Sequence, residues 1–174
     1  MGNVDYGDDG FGVRLAEVLL EAGVSDVVVA GAEPERYIGR TEDQRFDRIL
    51  FLDAVDFGAT PGSVALLSSK QICARYPQVS THKISLGVLA KWMEASGTTK
   101  VWLLGVQPES LHPGETQLAA FHTGSDTSRR GALSPAVTAT LRLLRDLLVD
   151  VRTKQRILVD PMDGAELADE VVTV

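Results

Sequence analysis

Cysteine is nearly absent from this sequence of 174 residues: it has one, Cys73, so no disulfide can form within the chain. Such cysteine usage is typical of a reducing compartment. Long apolar runs are also lacking, since none approaches the roughly 20 residues that a membrane-spanning helix needs. The first ten residues include three aspartates and no basic residue, whereas a signal peptide begins with positive charge. The sequence therefore predicts a cytoplasmic protein with no membrane partner.

Positive charge is scarce as well, with 17 Lys and Arg against 24 Asp and Glu and a formal net charge of −7. Nucleic acids and anionic membranes are bound mainly through Lys and Arg, so this composition argues against both partners. Residues 157–174 contain five of the acids and no base, which leaves −2 for the rest of the chain. We therefore expect one domain over residues 1–152, a monomer by default, and a mobile acidic tail over residues 153–174.

Predicted helices and strands alternate along this domain. Apolar residues at helical spacing predict helices over 11–22, 85–95 and 135 to about 151, the last with Ser134 as its N-cap. Short continuous apolar runs predict strands over 24–31, 48–52, 63–67 and 100–106. Residues 68–79 are ambiguous, and 107–133 read as a long loop. This alternation predicts an α/β fold with three layers, in which a mostly parallel twisted sheet has helices on both faces.

A glycine-rich segment, Gly-Asp-Asp-Gly-Phe-Gly over residues 7–12, precedes the first predicted helix. Glycine-rich turns before helices can bind phosphates, but the dinucleotide-binding order is G-x-G-x-x-G, and the order here is G-x-x-G-x-G. Two carboxylates in the loop would also repel a pyrophosphate. Asp8 and Asp9 stand where helix caps are found, and one cap leaves the second carboxylate for another role, such as facing a cleft.

Two further residues lie at the ends of predicted elements. Asp53 ends an apolar strand, and ligand sites in parallel α/β sheets lie outside the carboxyl ends of the strands. The alternative for Asp53 is an Asx-turn, and Asp56 is the weaker candidate for a site. His82 lies in a loop before a helix, although a single histidine is often structural. Cys73 has no basic setting and is interpreted as a thiol of the core.

Several familiar catalytic patterns are missing from the sequence. It contains no H-E-x-x-H or C-x-x-C pattern for zinc and no G-x-S-x-G nucleophile elbow. The candidates that remain are Asp9, Asp53 and His82. Two carboxylates and an imidazole suit a divalent metal such as nickel, zinc or iron, although their spacing alone is a weak signal.

Five motifs, in the same order along the chain, resemble those of the [NiFe]-hydrogenase maturation endopeptidases. They are Gly2-Asn3 with Gly7-Asp8-Asp9-Gly10 and the following Gly-Val-Arg-Leu-Ala, then 49–58 with Pro61-Gly62, then 81–86, then 104–109, and finally Leu133-Ser134-Pro135. The resemblance runs from residue 2 to about residue 150. Residues 31–35 and the Thr81-His82 pair resemble the branch that processes formate-hydrogenlyase-type hydrogenases.

The resemblance implies a function. Members of this family remove a short C-terminal peptide from the hydrogenase large-subunit precursor once nickel has been loaded. Their metal-contacting positions correspond to Asp9, Asp53 and His82, and the two aspartates are the implied catalytic residues. Nickel would be carried by the substrate, with no resident organic cofactor. The family is classified with the aspartic-type peptidases, and how it breaks the bond stays open.

One departure from the family pattern concerns the start of the chain. The family begins with an apolar strand that leads into Gly-Asn, whereas this sequence opens at Met1-Gly2-Asn3. We therefore expect the first strand to be missing, either because the natural protein is longer or because another segment, such as 157–159, fills the gap. Two alternative functions stay open: a nickel- or peptide-binding relative that does not cleave, and an unrelated metal-dependent hydrolase on a similar scaffold.

Overall fold

The computed structural model describes residues 1–37, 46–75, 85–95, 97–111 and 131–157. It contains four α-helices, which are α1 (Phe11–Glu21), α2 (Ser69–Arg75), α3 (Leu86–Met93) and α4 (Pro135–Ile157). Three β-strands lie among them, β1 (Arg48–Ala54), β2 (Val64–Ser68) and β3 (Lys100–Val106). Two 3₁₀ turns, Gly7–Gly10 and Pro34–Tyr37, complete the elements of the described residues.

The three strands form one sheet in the order β1-β3-β2. β1 runs parallel to β3 in a register from Arg48 opposite Lys100 to Ala54 opposite Val106. β2 lies on the other side of β3 and is antiparallel to it. The continuous apolar run of β3 agrees with a strand that is covered on both faces. In the described sheet, β3 therefore has one parallel and one antiparallel neighbour.

Helices cover both faces of the sheet, which confirms the predicted α/β fold. On one face, α2 and α3 pack on the sheet through Ile72, Leu86 and Leu89, all of which are buried with Leu103 of β3. On the other face, α1 and α4 pack through a second buried cluster: Phe11, Leu15, Leu19, Val137 and Leu144, together with Leu104 and Val106 of β3. The two clusters meet at β3, so the core runs through the middle strand.

Helix ends agree with the capping residues in the sequence. Ser85 is the N-cap of α3, where its hydroxyl accepts the N–H of Val88 at 3.4 Å. Ser134 precedes α4, and its hydroxyl accepts the N–H of Val137 at 3.4 Å. The predicted N-cap Ser134 and Pro135 at the first helical position are therefore confirmed, whereas Ser85 caps a helix whose predicted range, 85–95, included it. Residues 69–75, which were ambiguous in sequence, form α2.

The predicted strand over residues 24–31 is wrong. Residues 27–30 are half-buried and have no strand assignment. A strand needs a neighbour along its length to pair its backbone groups, and apolar side chains alone cannot supply one. Two backbone bonds lie at its ends: the N–H of Val24 donates to the oxygen of Leu19, and the N–H of Gly2 donates to the oxygen of Gly31, both at 3.0 Å. The predicted strand over 63–67 is confirmed as β2, with the antiparallel direction that the sequence left open.

Some predictions fall outside the described residues: His82, most of the long loop over 107–133, and the acidic tail from residue 158 onward. Met1 is buried, and its amino nitrogen donates to the backbone oxygen of Leu52 on β1. The missing first strand and the domain limits stay predictions. Within the described residues, no helix combines the length and the apolar character that a membrane crossing requires.

Candidate functional site

Asp53 is the sixth of the seven residues of β1 and lies beside Gly105 of β3. The strand is apolar from Ile49 to Leu52, and the carboxylate follows this run directly. Asp53 is only 3% exposed, so the sheet holds a carboxylate in its interior near the carboxyl end of two parallel strands. This is the position at which parallel α/β sheets place ligand sites, as the sequence predicts for Asp53.

Asp9 reaches the site from a closed loop before α1. The N–H of Asn3 donates to Oδ2 of Asp9 at 2.7 Å, and the N–H of Asp9 donates to the oxygen of Tyr6 at 3.2 Å. The Asn3 side chain forms an Asx-turn, in which Oδ1 accepts the N–H of Asp5 at 2.9 Å. These local bonds fix the loop, and Asp9 is 3% exposed like Asp53.

The glycines of this segment permit close backbone packing. A Cβ at Gly2, where φ is +111°, would overlap the backbone oxygen of Asp9. A Cβ at Gly12 would overlap the backbone oxygen of Leu52 and the backbone of Met1. Glycine is therefore required where the loop and the start of α1 approach β1, which explains the glycine-rich pattern by packing.

Asp9 and Asp53 both lie near the buried Met1 amino group. Burial lowers the pKa of the Met1 amino group, and the negative charges of Asp53 and Asp9 oppose that lowering. Electrostatic influence of both carboxylates on one nitrogen means that both lie near it. The structure thus brings together two residues that are 44 positions apart in the sequence.

Asp8 does not cap α1, and neither does Asp9, which corrects the expectation that one of the pair would do so. The N-cap position of α1 is Gly10, with no side-chain hydrogen bond. Asp8 is buried, and its two oxygens accept backbone N–H groups from distant segments: Glu109 at 2.9 Å and Ser134 at 2.6 Å. Because these donors hold the Asp8 carboxylate in the interior, it does not face an open cleft.

The sequence reasoning missed Gln107, which follows β3 directly and is 6% exposed. Its Oε1 accepts the N–H groups of Phe57 at 2.8 Å and Ala59 at 3.2 Å. Its Nε2 donates to Oδ1 of Asp56 at 3.1 Å and to the oxygen of Pro108 at 3.2 Å. The same sign that selected Asp53, a polar residue at the end of an apolar strand, could have selected Gln107. Asp56 lies in this loop and binds the Gln107 side chain, which agrees with its ranking as the weaker candidate for a site residue.

The remaining candidates are Cys73 and His82. Cys73 on α2 is half-buried, and its Sγ lies 3.5 Å from the backbone oxygen of Gly87 on α3, which suits the predicted packing role. His82 lies outside the described residues. Within them, no three or more His, Cys, Asp or Glu side chains form a group that could hold a metal ion.

Comparison with known proteins places this chain in a family. The family described as "HycI: Hydrogenase maturation protease" matches residues 13–120, more than half of the chain. The chain belongs to the hydrogenase maturation protease family. The matched span includes Asp53 and His82 and begins four residues after Asp9. Membership makes the chain a peptidase by class, in agreement with the resemblance of the five motifs.

Individual relatives agree with the family. The Hydrogenase 3 maturation protease of Escherichia coli (strain K12) is 32% identical over 111 residues, which cover 63% of this chain and 70% of that protein. The hydrogenase expression/formation protein HupD of Rhizobium leguminosarum bv. viciae is 25% identical over 161 residues, covering 88% and 76%. The crystal structure of the [NiFe] hydrogenase maturation protease HycI from Thermococcus kodakarensis KOD1 superposes with a TM-score of 0.69 at 25% identity, covering 87% of this chain and 88% of that one.

Proposed function

We propose that the chain is an endopeptidase that removes a C-terminal peptide from the nickel-loaded large-subunit precursor of a [NiFe]-hydrogenase. The observation that carries this proposal is the convergence of two buried carboxylates, Asp9 and Asp53, at one end of the sheet in a member of the maturation protease family. The names of the relatives support hydrogenase maturation as the setting.

In this proposal Asp9, Asp53 and His82 contact the nickel that the precursor carries. Carboxylate and imidazole are suitable ligands for Ni²⁺, and a substrate that already holds the ion leaves coordination positions for them. His82 is three residues before Ser85, the N-cap of α3. That His82 lies close to Asp9 and Asp53 is part of this proposal. Nickel would then act as the recognition feature, because only a loaded precursor gains these extra contacts.

The two aspartates also provide the chemistry for peptide hydrolysis. A carboxylate that is held in the interior can accept a proton from the attacking water as a general base. Alternatively, the water is activated by the substrate's nickel while the carboxylates orient it. Both routes need Asp9 and Asp53 in fixed positions, and the loop and sheet bonds provide this. The first route agrees with the aspartic-type classification that the resemblance implies.

The test uses large-subunit precursor in nickel-loaded and nickel-free forms. Each form is incubated with the full chain, and loss of the C-terminal peptide is followed by gel mobility and by mass spectrometry. We expect cleavage of the loaded precursor alone. Cleavage of both forms would contradict nickel recognition, and binding of the loaded form without cleavage would instead favour a binding protein that does not turn over.

A further inference from the structure

The segment that follows β3, residues 107–109, contacts both parts of the chain that carry the candidate catalytic acids. On one side, the N–H of Glu109 donates to Oδ2 of Asp8, the neighbour of Asp9, at 2.9 Å. On the other side, the Gln107 side chain accepts two N–H groups from the loop that follows Asp53. The turn that presents Asp9 and the chain that leaves Asp53 therefore share one support.

The oxygen and the nitrogen of the Gln107 side-chain amide both take part in hydrogen bonds. Its oxygen accepts two hydrogen bonds and its amide nitrogen donates two, all with the side chain buried. The Gln107 backbone adds two more, since its N–H donates to Ser63 and its oxygen accepts from Gly62, both at 2.8 Å. An apolar residue at this position would leave the N–H groups of Phe57 and Ala59 without their acceptor, so the loop would have to move.

Asp8 supports the other acid in a similar way. Its two oxygens bind the N–H of Glu109 and the N–H of Ser134, which are 101 and 126 positions away in the sequence. Charge-assisted bonds of this kind are roughly twice as strong as neutral ones. The 3₁₀ turn that contains Asp8 and Asp9 has only four residues, so any shift of Asp8 passes directly to Asp9.

We propose that Gln107 and Asp8 are positioning residues that set the separation of the Asp53 and Asp9 carboxylates through residues 107–109. This inference rests on the proposed function, since it takes the two carboxylates to act together. Neither Gln107 nor Asp8 contacts the substrate in this proposal, because both side chains are buried and bound to the protein.

The substitution Gln107→Glu, alone and combined with Asp56→Asn, tests the role of Gln107. Gln107→Glu keeps an acceptor for Phe57 and Ala59 but places a second carboxylate against Asp56. Because a misplacement of about 1 Å can cost about 100-fold in rate, we expect kcat to fall by about 10- to 100-fold. KM should change less than about twofold, since the docking surface is untouched. Adding Asp56→Asn supplies a donor in place of the bond to Asp56, while the bond to the Pro108 oxygen stays lost, and should return kcat to within about threefold of the parent.

Asp56→Asn alone is the matched control. An asparagine at position 56 can turn its oxygen toward Nε2 of Gln107, so this single variant should keep most of the parent kcat. Rescue of the glutamate variant by a second substitution is not expected from general damage to the fold. Failure of the rescue would overturn the inference. Should Gln107→Glu fail to fold, Asp8→Asn provides the same kcat and KM measurement for Asp9, and an unchanged kcat there overturns the inference.

A readout without substrate separates this inference from the proposed function. Carboxyl-carbon NMR resonances of Asp9 and Asp53 are recorded at a single pH in isotope-labelled, substrate-free protein. We expect Gln107→Glu to shift the Asp53 resonance and Asp56→Asn to restore it. If the parent protein cleaves nickel-loaded precursor and the glutamate variant keeps its kcat, the inference fails and the proposed function stands. If the parent does not cleave, the proposed function fails, and a shift followed by its restoration supports the positioning role, whereas unmoved resonances overturn it.

Discussion

At the scale of single residues, Asp9 and Asp53 are buried carboxylates whose charges both act on the Met1 amino group. Replacing either carboxylate by the isosteric amide, Asp9→Asn or Asp53→Asn, should lower cleavage of nickel-loaded precursor by about 100-fold or more, because the amide can neither accept a proton nor supply charge. Thermal unfolding should change little, since an asparagine oxygen at position 9 can still accept the N–H of Asn3. Asp146→Asn, on the exposed face of α4, is the matched control. A normal cleavage rate in either variant would show that the substituted aspartate is not a catalytic residue.

Gly12 provides a second prediction at this scale. It lies in the first turn of α1, where alanine would ordinarily be favoured over glycine by about 1 kcal/mol. Here a Cβ would overlap the backbone oxygen of Leu52, so we expect Gly12→Ala to lower the free energy of unfolding by about 1–3 kcal/mol. Urea unfolding measures this change, with Glu17→Ala on the exposed side of α1 as the control within about 0.5 kcal/mol. A stabilised Gly12→Ala protein would contradict the packing role.

Asp53, Asp8 and Gln107 show which site residues the sequence can predict. Asp53 is predictable because its signal is local: a carboxylate directly after an apolar strand. The role of Asp8 is not predictable, because its partners Glu109 and Ser134 are supplied by the end of β3 and the start of α4. Gln107 has a local signal like that of Asp53, but its meaning depends on how the loop after β1 folds around it.

At the scale of elements, local patterns predict where helices and strands lie better than how the strands pair. Apolar spacing predicted α1, α3 and α4, the last together with its serine cap, because a helix satisfies most of its own backbone. The strand expected over 24–31 is absent because a strand depends on a neighbour that no local pattern specifies. For the same reason the antiparallel direction of β2 could not be derived from its residues. The α/β class was predictable, whereas the pairing of the strands was not.

Helix α4 gives a matched pair of neighbouring leucines. Leu144 is 7% exposed and packs in the cluster on the α1 side of the sheet, whereas Leu143 is 72% exposed. Leu144→Ala should lower the free energy of unfolding by about 2–5 kcal/mol, since it removes buried methyl groups and leaves a cavity. Leu143→Ala should change it by less than about 0.5 kcal/mol. Chemical denaturation of both variants checks the orientation of the helix, and equal effects would show that it is wrong.

At the scale of the whole molecule, the two apolar clusters join segments from both ends of the described chain. Met1 is buried with β1, α2 and α3, while Val137 and Leu144 of α4 are buried with α1 and β3. The Asp8 carboxylate joins the loop before α1 to Glu109, which follows β3, and to Ser134, which precedes α4. The loop before α1, the end of β3 and the start of α4 therefore meet at one end of the sheet. Asp9 and Asp53 are held there by contacts between segments that are far apart in the sequence.

The division into a domain and an acidic tail leads to a prediction about the whole chain. Among the described residues, the side chains that build both clusters lie between Met1 and Val149, before the run of acids begins. Deleting residues 158–174 removes five acids and changes the formal net charge from −7 to −2. If the tail stays outside the folded domain, as the sequence predicts, the Tm should stay within about 2 °C, equivalent to about 0.5 kcal/mol for a domain of this size. Cleavage of nickel-loaded precursor should also be retained. A fall in Tm of about 10 °C would mean that the tail belongs to the folded domain, and loss of cleavage at an unchanged Tm would place it in substrate binding.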